Sequence, residues 1–291
     1  MPGNAIRSDK PKAVKQLQIA GPIDELEAST AVQVVYTLAS PREGIDVKIE
    51  APGNLLEGNK LVCKVDSKGK NINMNGVTVF LSMPPVSSIS VSSAANVTVD
   101  DDYNSDKPLS LYASSAGSID MENVFLPENT CLDITASSAA SIDIDEAVVG
   151  SLKGNISSAA DVDIDHLTAD TATIQCSSSA KFETDARVNV LTAASSSAGR
   201  IKMTGNAGNA SLSASSGGKV DADELDAKRI SVSEDWQSGG KIRGFGKEAR
   251  SHSDVDEDDY EDEIYSSKKT AAKTEKKAAK TQQVKLEMPE H

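Results

Sequence analysis

The residues of this sequence best placed to do chemistry are carboxylates that occur in pairs, two residues apart, at nearly equal intervals. Two such pairs are Asp143 with Asp145 and Asp163 with Asp165. Side chains two residues apart lie on the same face of a strand. Carboxylate oxygens suit hard cations such as Ca²⁺, and a glycosidase needs a pair of carboxyl groups. The pattern therefore raises two chemistries, cation binding and sugar hydrolysis.

A motif of small residues, typified by Ser-Ser-Ala-Ala-x-Val, recurs eight times and indicates how these pairs are arranged. The copies begin at Ser92, Ser114, Ser137, Ser157, Ser177, Ser196, Ser215 and Gln237. Successive copies begin 19 to 23 residues apart. A period near 20 is typical of a solenoid, in which each coil buries its apolar face only against its neighbours. The small residues fit a tight corner where one backbone lies directly on the next.

Apolar and polar residues alternate on both sides of each copy. In the coil at Ser157, Leu152 to Ile156 alternates before the motif, and Val162 and Ile164 follow it. This period of two predicts strands. The sequence therefore predicts an all-β fold, a single-stranded parallel β-helix (β-solenoid) of about 20-residue coils, each with about three short strands. One buried stack is expected, formed by Val97, Ile119, Ile142, Val162, Phe182, Ile201, Val220 and Ile242.

Changes in composition divide the chain into four parts. Residues 1–20 are polar and basic and are expected to be flexible, and residues 21–88 are expected to form strands that cap the solenoid, without the corner motif. The repeats occupy 89–246. Residues 247–291 carry an acidic block, with eight carboxylates between Asp254 and Glu263, and then a Lys- and Ala-rich block. This last part is expected to be a disordered tail.

Stacking turns each position of the repeat into a row on the surface. The position after the first apolar residue of each coil reads Thr98, Asp120, Asp143, Asp163, Glu183, Lys202, Asp221, Arg243. Two residues further, the row is expected to read Asp100, Glu122, Asp145, Asp165, Asp185, Thr204, Asp223, Phe245. Two interpretations stay open for these rows: a solvated face that discourages lateral aggregation, or a ladder of divalent cations at Asp143, Asp145, Asp163 and Asp165.

A third row lies just before the first apolar residue and becomes basic in the later coils. It reads Asn96, Ser118, Ser141, Asp161, Lys181, Arg200, Lys219, Lys241. Its cations could neutralise the neighbouring carboxylates locally. A bound Ca²⁺ is therefore expected to add no stability beyond that of matched ionic strength.

The sequence gives little support for other catalytic or cofactor chemistry. The motif serines have no histidine near most copies, and a serine nucleophile needs an adjacent base. The cysteines Cys63, Cys131 and Cys176 form no C-x-x-C pair, and Cys176 is expected to be a buried hydrophobe. Ten aromatic residues, with Trp236 the only tryptophan, offer few platforms for sugar stacking. No cofactor is predicted, and the chain is expected not to be an enzyme.

Charge and hydropathy limit the partners. A net charge of −14 disfavours nucleic acid and anionic membranes. No run of 18 apolar residues predicts a transmembrane helix, and the first residues lack the apolar core of a signal peptide. The partner is expected to be a polysaccharide or a protein, and a homo-oligomer is possible.

The serial corners and the opening segment from Ala28 to Thr37 resemble the putative auto-transporter adhesin head GIN domain family. The resemblance covers roughly residues 20 to 246, although members more often carry Ser-Gly-Ser-Gly-Asp at the corner. It implies a β-helical fold and a cell-envelope or extracellular location, and it transfers no catalytic residue. The hypothesis is a non-enzymatic structural or adhesion-type module; the alternative is a carbohydrate-binding protein or carbohydrate-active β-helix enzyme.

Overall fold

The computed structural model describes residues 15–19, 23–38, 45–49, 54–57, 60–63 and 78–244. All of them belong to the first of the two units into which the chain divides, 1–245 and 246–291. The disorder expected for 247–291 therefore lies outside the described residues. Of the first twenty residues, Lys15–Ile19 form a strand, whereas the sequence suggests a flexible segment. The difference arises from a pairing with residues 45–49, which local composition does not reveal.

Strands account for nearly all of the described secondary structure, as the alternating pattern predicts. Seven lie in the N-terminal region: β1 (Lys15–Ile19), β2 (Glu25–Ala28), β3 (Gln33–Leu38), β4 (Ile45–Ile49), β5 (Asn54–Glu57), β6 (Lys60–Cys63) and β7 (Thr78–Met83). Six more strands follow: β8 (Ser88–Val91), β9 (Asn96–Val99), β10 (Tyr103–Asn104), β11 (Leu109–Ala113), β12 (Ser118–Phe125) and β13 (Cys131–Ala136). The last six are β14 (Ser141–Ile156), β15 (Asp161–Cys176), β16 (Lys181–Ser195), β17 (Arg200–Ala214), β18 (Lys219–Glu234) and β19 (Lys241–Arg243). A 3-10 turn, Trp236–Ser238, precedes β19.

The expected parallel solenoid of about 20-residue coils is confirmed. Each strand from β8 onward pairs in parallel with its equivalent in the next coil. The expectation of three short strands per coil is only partly right, because β14 to β18 each run unbroken for 15 or 16 residues. The pairing of each strand with the next resumes on the far side of every bend, and only single positions, such as Asp145 and Asp165, are left out of it.

One apolar stack runs through the interior and fixes which residues face outward. All eight residues predicted for it are at most 5% exposed and lie in register with one another. Ile142, for example, lies between Ile119 and Val162. The residues on either side in each strand therefore point to solvent, which defines the charged face considered below.

The corner motif forms a tight turn with a left-handed backbone. In the copy at Ser137, the N–H of Ala140 donates to the carbonyl of Ser137 at 3.2 Å. The two central residues, Ser138 and Ala139, have φ of 56° and 58°. Positive φ at both central positions defines a type I′ turn, which ordinarily favours Gly, Asn or Asp. The N–H of Ala139 also donates to the carbonyl of Ser158 in the next coil at 3.0 Å, so stacking holds the strained turn.

We expect the Ser138→Gly variant to be more stable than the parent chain. Ser138 is exposed, and glycine removes a left-handed penalty of roughly 1–2 kcal/mol, offset in part by the larger entropy of the unfolded glycine chain. The net gain in the free energy of unfolding should be about 0.5 kcal/mol or more, measured by urea denaturation. The reciprocal change Gly217→Ala, at φ 74° with no atom closer than 3.9 Å to the added Cβ, should lose a similar amount. Equal stability in both variants would contradict this account.

The N-terminal coils stack out of sequence order. Strand β3 pairs in parallel with β7 on one side and β9 on the other, and β2 lies likewise between β6 and β8. Strands β6 and β7, later in the chain, therefore lie closer to the end of the stack than β2 and β3. Strand β4 pairs antiparallel with both β7 and β1, and β5 pairs antiparallel with β6. These antiparallel strands pair with edges of β6 and β7, and the capping role expected for this region stays a prediction.

A corner also occurs where the sequence suggests none. Thr30 and Ala31 have φ of 65° and 54°, and the N–H of Ala31 donates to the carbonyl of Ser93. The repeated sequence motif is absent from 21–88, yet Ser29, Thr30 and Ala31 supply small residues of the same kind and form a corner here. Within the described ranges, no helix has the length and apolar character needed to cross a membrane.

Candidate functional site

The first outward-facing segment of each coil forms an open, charged groove. It lies along β14 to β19 and has a volume of about 580 Å³. Its floor is made by residues of the buried stack, and its walls are charged side chains from alternate positions. The charged residues that line it are Asp143, Asp161, Asp163, Lys181, Glu183, Arg200, Lys202, Lys219, Asp221, Lys241 and Arg243.

A run of carboxylates in register begins in the coil before the groove and continues along one wall of it. Asp120, Asp143, Asp163 and Glu183 are paired in successive coils, as the sequence predicts. Neighbouring parallel strands lie about 4.8 Å apart, so these carboxylates repel one another. Lys202 interrupts the run and forms an ion pair with Glu183.

Two of these carboxyl groups are perturbed in the folded chain. Partial burial and the neighbouring carboxylates, Asp120 foremost, raise the pKa of Asp143. Partial burial and then Glu183 raise the pKa of Asp163. Desolvation and the repulsion between neighbouring carboxylates of the row therefore cause both pKa shifts.

Replacing both groups should stabilise the fold at neutral pH. A folded-state pKa above the unfolded value gives stability that is present below the unfolded pKa and is lost as pH rises through the folded pKa. The Asp143→Asn/Asp163→Asn variant escapes that loss, so we expect it to gain about 0.5 kcal/mol at pH 7. The value is small because Asp143 is exposed and Asp163 is only partly buried, so solvent screens both charges. The gain should shrink as pH falls below the ordinary carboxyl pKa, in urea melts recorded across pH. A gain that stayed constant with pH would contradict the account.

The opposite row of the groove becomes basic in the later coils. Lys181, Arg200, Lys219 and Lys241 are paired in successive strands, as expected, and we call these four the basic row. The Lys181 Nζ lies 3.2 Å from Asp161 Oδ2. The other three cations form no ion pair within the described part of the chain. Local neutralisation is therefore incomplete in this half of the groove.

The second carboxylate row predicted from the sequence is not continuous. Asp185 pairs with His166, and not with Asp165, because the register shifts after Ile164. The His166 Nδ1 lies 3.6 Å from Asp185 Oδ2. The physical reason is a missing residue in the coil of β16, which leaves Asp165 with no equivalent residue in that coil. Asp145 and Asp165 are both exposed. The shorter spacing between the copies at Ser177 and Ser196 is the signal from which this shift could have been inferred.

The four candidate metal ligands do not all lie in one row. Asp143 and Asp163 are paired in neighbouring coils, whereas Asp145 and Asp165 lie outside the paired positions. Among the described residues, no group of three or more His, Cys, Asp or Glu side chains is arranged to hold a metal ion. The cation ladder at Asp143, Asp145, Asp163 and Asp165 stays a prediction, as does the expectation that Ca²⁺ adds no specific stability.

Two cysteines and two tyrosines belong to the buried interior. Burial raises the pKa of the Cys63 thiol to about 12 and that of Cys176 to about 11, so both are poor nucleophiles; the burial expected for Cys176 is confirmed. Sequence reasoning missed the buried Tyr36 and Tyr103, whose hydroxyls donate to the carbonyls of Pro84, at 2.7 Å, and Val86. They satisfy backbone acceptors next to the N-terminal coils.

Known proteins of the same fold support this description. The chain aligns with a solved adhesin, described as putative, from Parabacteroides merdae, with 14% identity, a TM-score of 0.55 and coverage of 77% of this chain and 95% of that one. A second such structure, from Parabacteroides distasonis, has 13% identity, a TM-score of 0.56 and coverage of 79% and 95%. At this identity the likeness shows the fold alone. No functionally curated protein matches the sequence.

The sequence also matches a family profile across the whole described solenoid. The profile is that of the putative auto-transporter adhesin, head GIN domain, and it matches residues 23–190 and again 155–249. The two overlapping matches follow from the repeat, since equivalent coils fit the same profile positions. The match covers more than half of the chain, and the chain therefore belongs to this family of adhesin head domains.

Proposed function

We propose that this chain is a non-enzymatic adhesion-type module of the cell envelope or the extracellular space, and that it binds its partner on the charged groove. The observation that carries the proposal is the groove itself, in which a filled apolar stack holds charged side chains in register over successive coils. Membership of the adhesin family supports the class of function. A rigid repeat is suited to such a role because it presents an extended, regular surface.

The alternative is a carbohydrate-active enzyme that uses a carboxylate pair. Asp143 and Asp163 are paired on neighbouring strands, which lie about 4.8 Å apart, and a retaining glycosidase uses two carboxyl groups at a similarly short separation. However, a glycosidase relies on environments that push the two pKa values apart, whereas the pKa of both groups is raised here. The open groove also offers no aromatic side chain among its lining residues except the buried Phe182. The geometry thus favours binding over hydrolysis.

A steric block of the groove tests the proposal. Ser141 lines the groove, so the Ser141→Trp variant should obstruct it without changing charge. Ser211, exposed in β17 on another face, provides the matched control Ser211→Trp. Binding would be measured to an array of defined acidic and neutral oligosaccharides and to immobilised mucin glycoprotein, together with an assay for released reducing ends.

The parent chain and Ser211→Trp should bind the same probes, Ser141→Trp should bind them at least several-fold more weakly, and no reducing ends should form. Equal binding by the two tryptophan variants would show that the partner does not bind in the groove. Release of reducing ends that Asp143→Asn abolishes would establish the enzyme instead.

A further inference from the structure

The basic row is a straight line of cations with a fixed repeat. Lys181, Arg200, Lys219 and Lys241 occupy the same position in four consecutive coils. Adjacent coils are about 4.8 Å apart, so the row is roughly 14 Å long. All four side chains are exposed. The surface thus offers one positive charge per coil along a line that the backbone ladder keeps rigid.

Most of this charge is not neutralised within the described residues. Lys181 is paired with Asp161, and Lys202, in the next row, is paired with Glu183. Arg200, Lys219 and Lys241 have no such partner there. Like charges at neighbouring positions repel, and an anion bound along the row would relieve that repulsion. The contrast with the net charge of −14 makes the row a distinct local feature.

Hydroxyl groups border the row on its corner side. Ser178, Ser197 and Ser216 each precede a basic residue by three positions and are exposed at the corners. A serine hydroxyl can donate and accept hydrogen bonds. A ligand that carries both acidic groups and hydroxyl groups would therefore find partners for each along the same line.

The opposite border of the row limits the width of the ligand. Two residues further along the strands, the border reads Glu183, Lys202, Asp221 and Arg243, so carboxylates alternate with cations about 7 Å from the basic row. A membrane, a nucleic acid duplex or a broad protein surface that met the row would also meet these carboxylates. A single extended polymer can follow the basic row alone.

We propose that the basic row binds a linear acidic polysaccharide, with its carboxylates on Arg200, Lys219 and Lys241 and its hydroxyls along the serine corners. This inference rests on the proposed function and names the ligand class of the same groove. A uronate polymer has one carboxylate per sugar and so provides a regular series of charges to match one cation per coil. Binding should weaken as salt concentration rises, because exposed ion pairs are screened.

Charge-neutral variants of the full chain test the assignment. The variant Arg200→Gln/Lys219→Gln removes two cations of the row. The control Lys153→Gln/Lys228→Gln removes two exposed cations elsewhere, so the net charge is the same. The probe is hexagalacturonate, with maltohexaose as the neutral comparison, and binding is measured by calorimetry at low and physiological salt. We expect the row variant to lose about tenfold in affinity, the sum of two exposed charge contacts, and the control to lose less than twofold.

Four other outcomes would overturn the inference. The first two are equal losses of affinity in the two variants and equal affinity for hexagalacturonate and maltohexaose. The third is tighter binding of a DNA oligonucleotide than of hexagalacturonate. The fourth is concentration-dependent dimerisation in sedimentation that the row variant abolishes, because the row would then bind a second copy of the chain. Salt-independent binding of neutral sugars that Ser141→Trp abolishes would reject the acidic ligand and leave the proposed function intact. Failure of every probe to bind the groove would reject both the acidic ligand and the proposed function.

Discussion

Replacing Ile142 with Asp should cost about 4 kcal/mol or more of the free energy of unfolding. Ile142 is 1% exposed and is paired with Ile119 and Val162 in the neighbouring coils. A carboxylate at this position would lie inside the apolar stack with no cation to pair with. Because each coil is stabilised mainly by its two neighbours, the damage should spread to both. Urea denaturation followed by circular dichroism measures the loss.

The adjacent residue provides the control. Asp143→Asn alters the next side chain along the same strand, but that side chain faces the groove. It should change stability by well under 1 kcal/mol, and in the stabilising direction, because it removes a repelled charge. If Asp143→Asn were the more damaging of the two substitutions, the assignment of inward and outward positions would be wrong throughout the solenoid.

The inward and outward assignment could be predicted from sequence because the information is local and repeated. Each copy of the corner motif fixes the phase of the alternation that follows it. Val97 and Ile242 therefore lie in the same stack although the copies between them are spaced unequally. The charged rows next to the stack follow from the same phase, and so the basic row and the first carboxylate row were predictable.

The features that could not be predicted depend on contacts between distant segments or on single-residue changes within a coil. Residues 23–38 lie between two coils that are formed by later segments of the chain. The sequence does not reveal this order, because several strands share the same alternating pattern and β3 fits any of them as a parallel neighbour. The break of the second carboxylate row depends on where the coil of β16 loses a residue, and only the backbone shows that this occurs after Ile164. An equal-spacing rule places Asp185 beside Asp165 and is wrong by one position.

The corners show a further limit of pattern reading. Small residues predict a close approach of backbones, but they do not reveal that Ser and Ala adopt positive φ in nearly every copy. Glycine would be the usual residue there. The backbone hydrogen bonds between successive corners, such as Ala159 to Ser178 at 2.9 Å, compensate for the strain. A property of the stacked coils thus decides a conformation that no single copy favours.

Truncating Phe182 to Ala should cost about 3–5 kcal/mol. Phe182 is the largest side chain of the buried stack, is 1% exposed, and is paired with Val162 and Ile201. Val162 and Ile201 cannot move to fill the space of the lost ring, because backbone pairing with the strands on both sides fixes their distance from residue 182. A cavity would therefore remain beneath the groove. The more conservative Phe182→Leu change retains most of the volume and should cost less than about 1.5 kcal/mol.

The two Phe182 variants also separate the core from the surface chemistry. Lys181 and Glu183 flank Phe182 and face the groove. The Phe182 ring therefore packs next to the charged side chains without contributing a charge of its own. Under conditions where both variants remain folded, Phe182→Leu should bind hexagalacturonate as the parent chain does. Equal losses of stability in the Ala and Leu variants would show that the stack does not pack tightly around this ring. A rigid solenoid requires that packing, because its thin interior leaves each coil only two neighbours from which to gain stability.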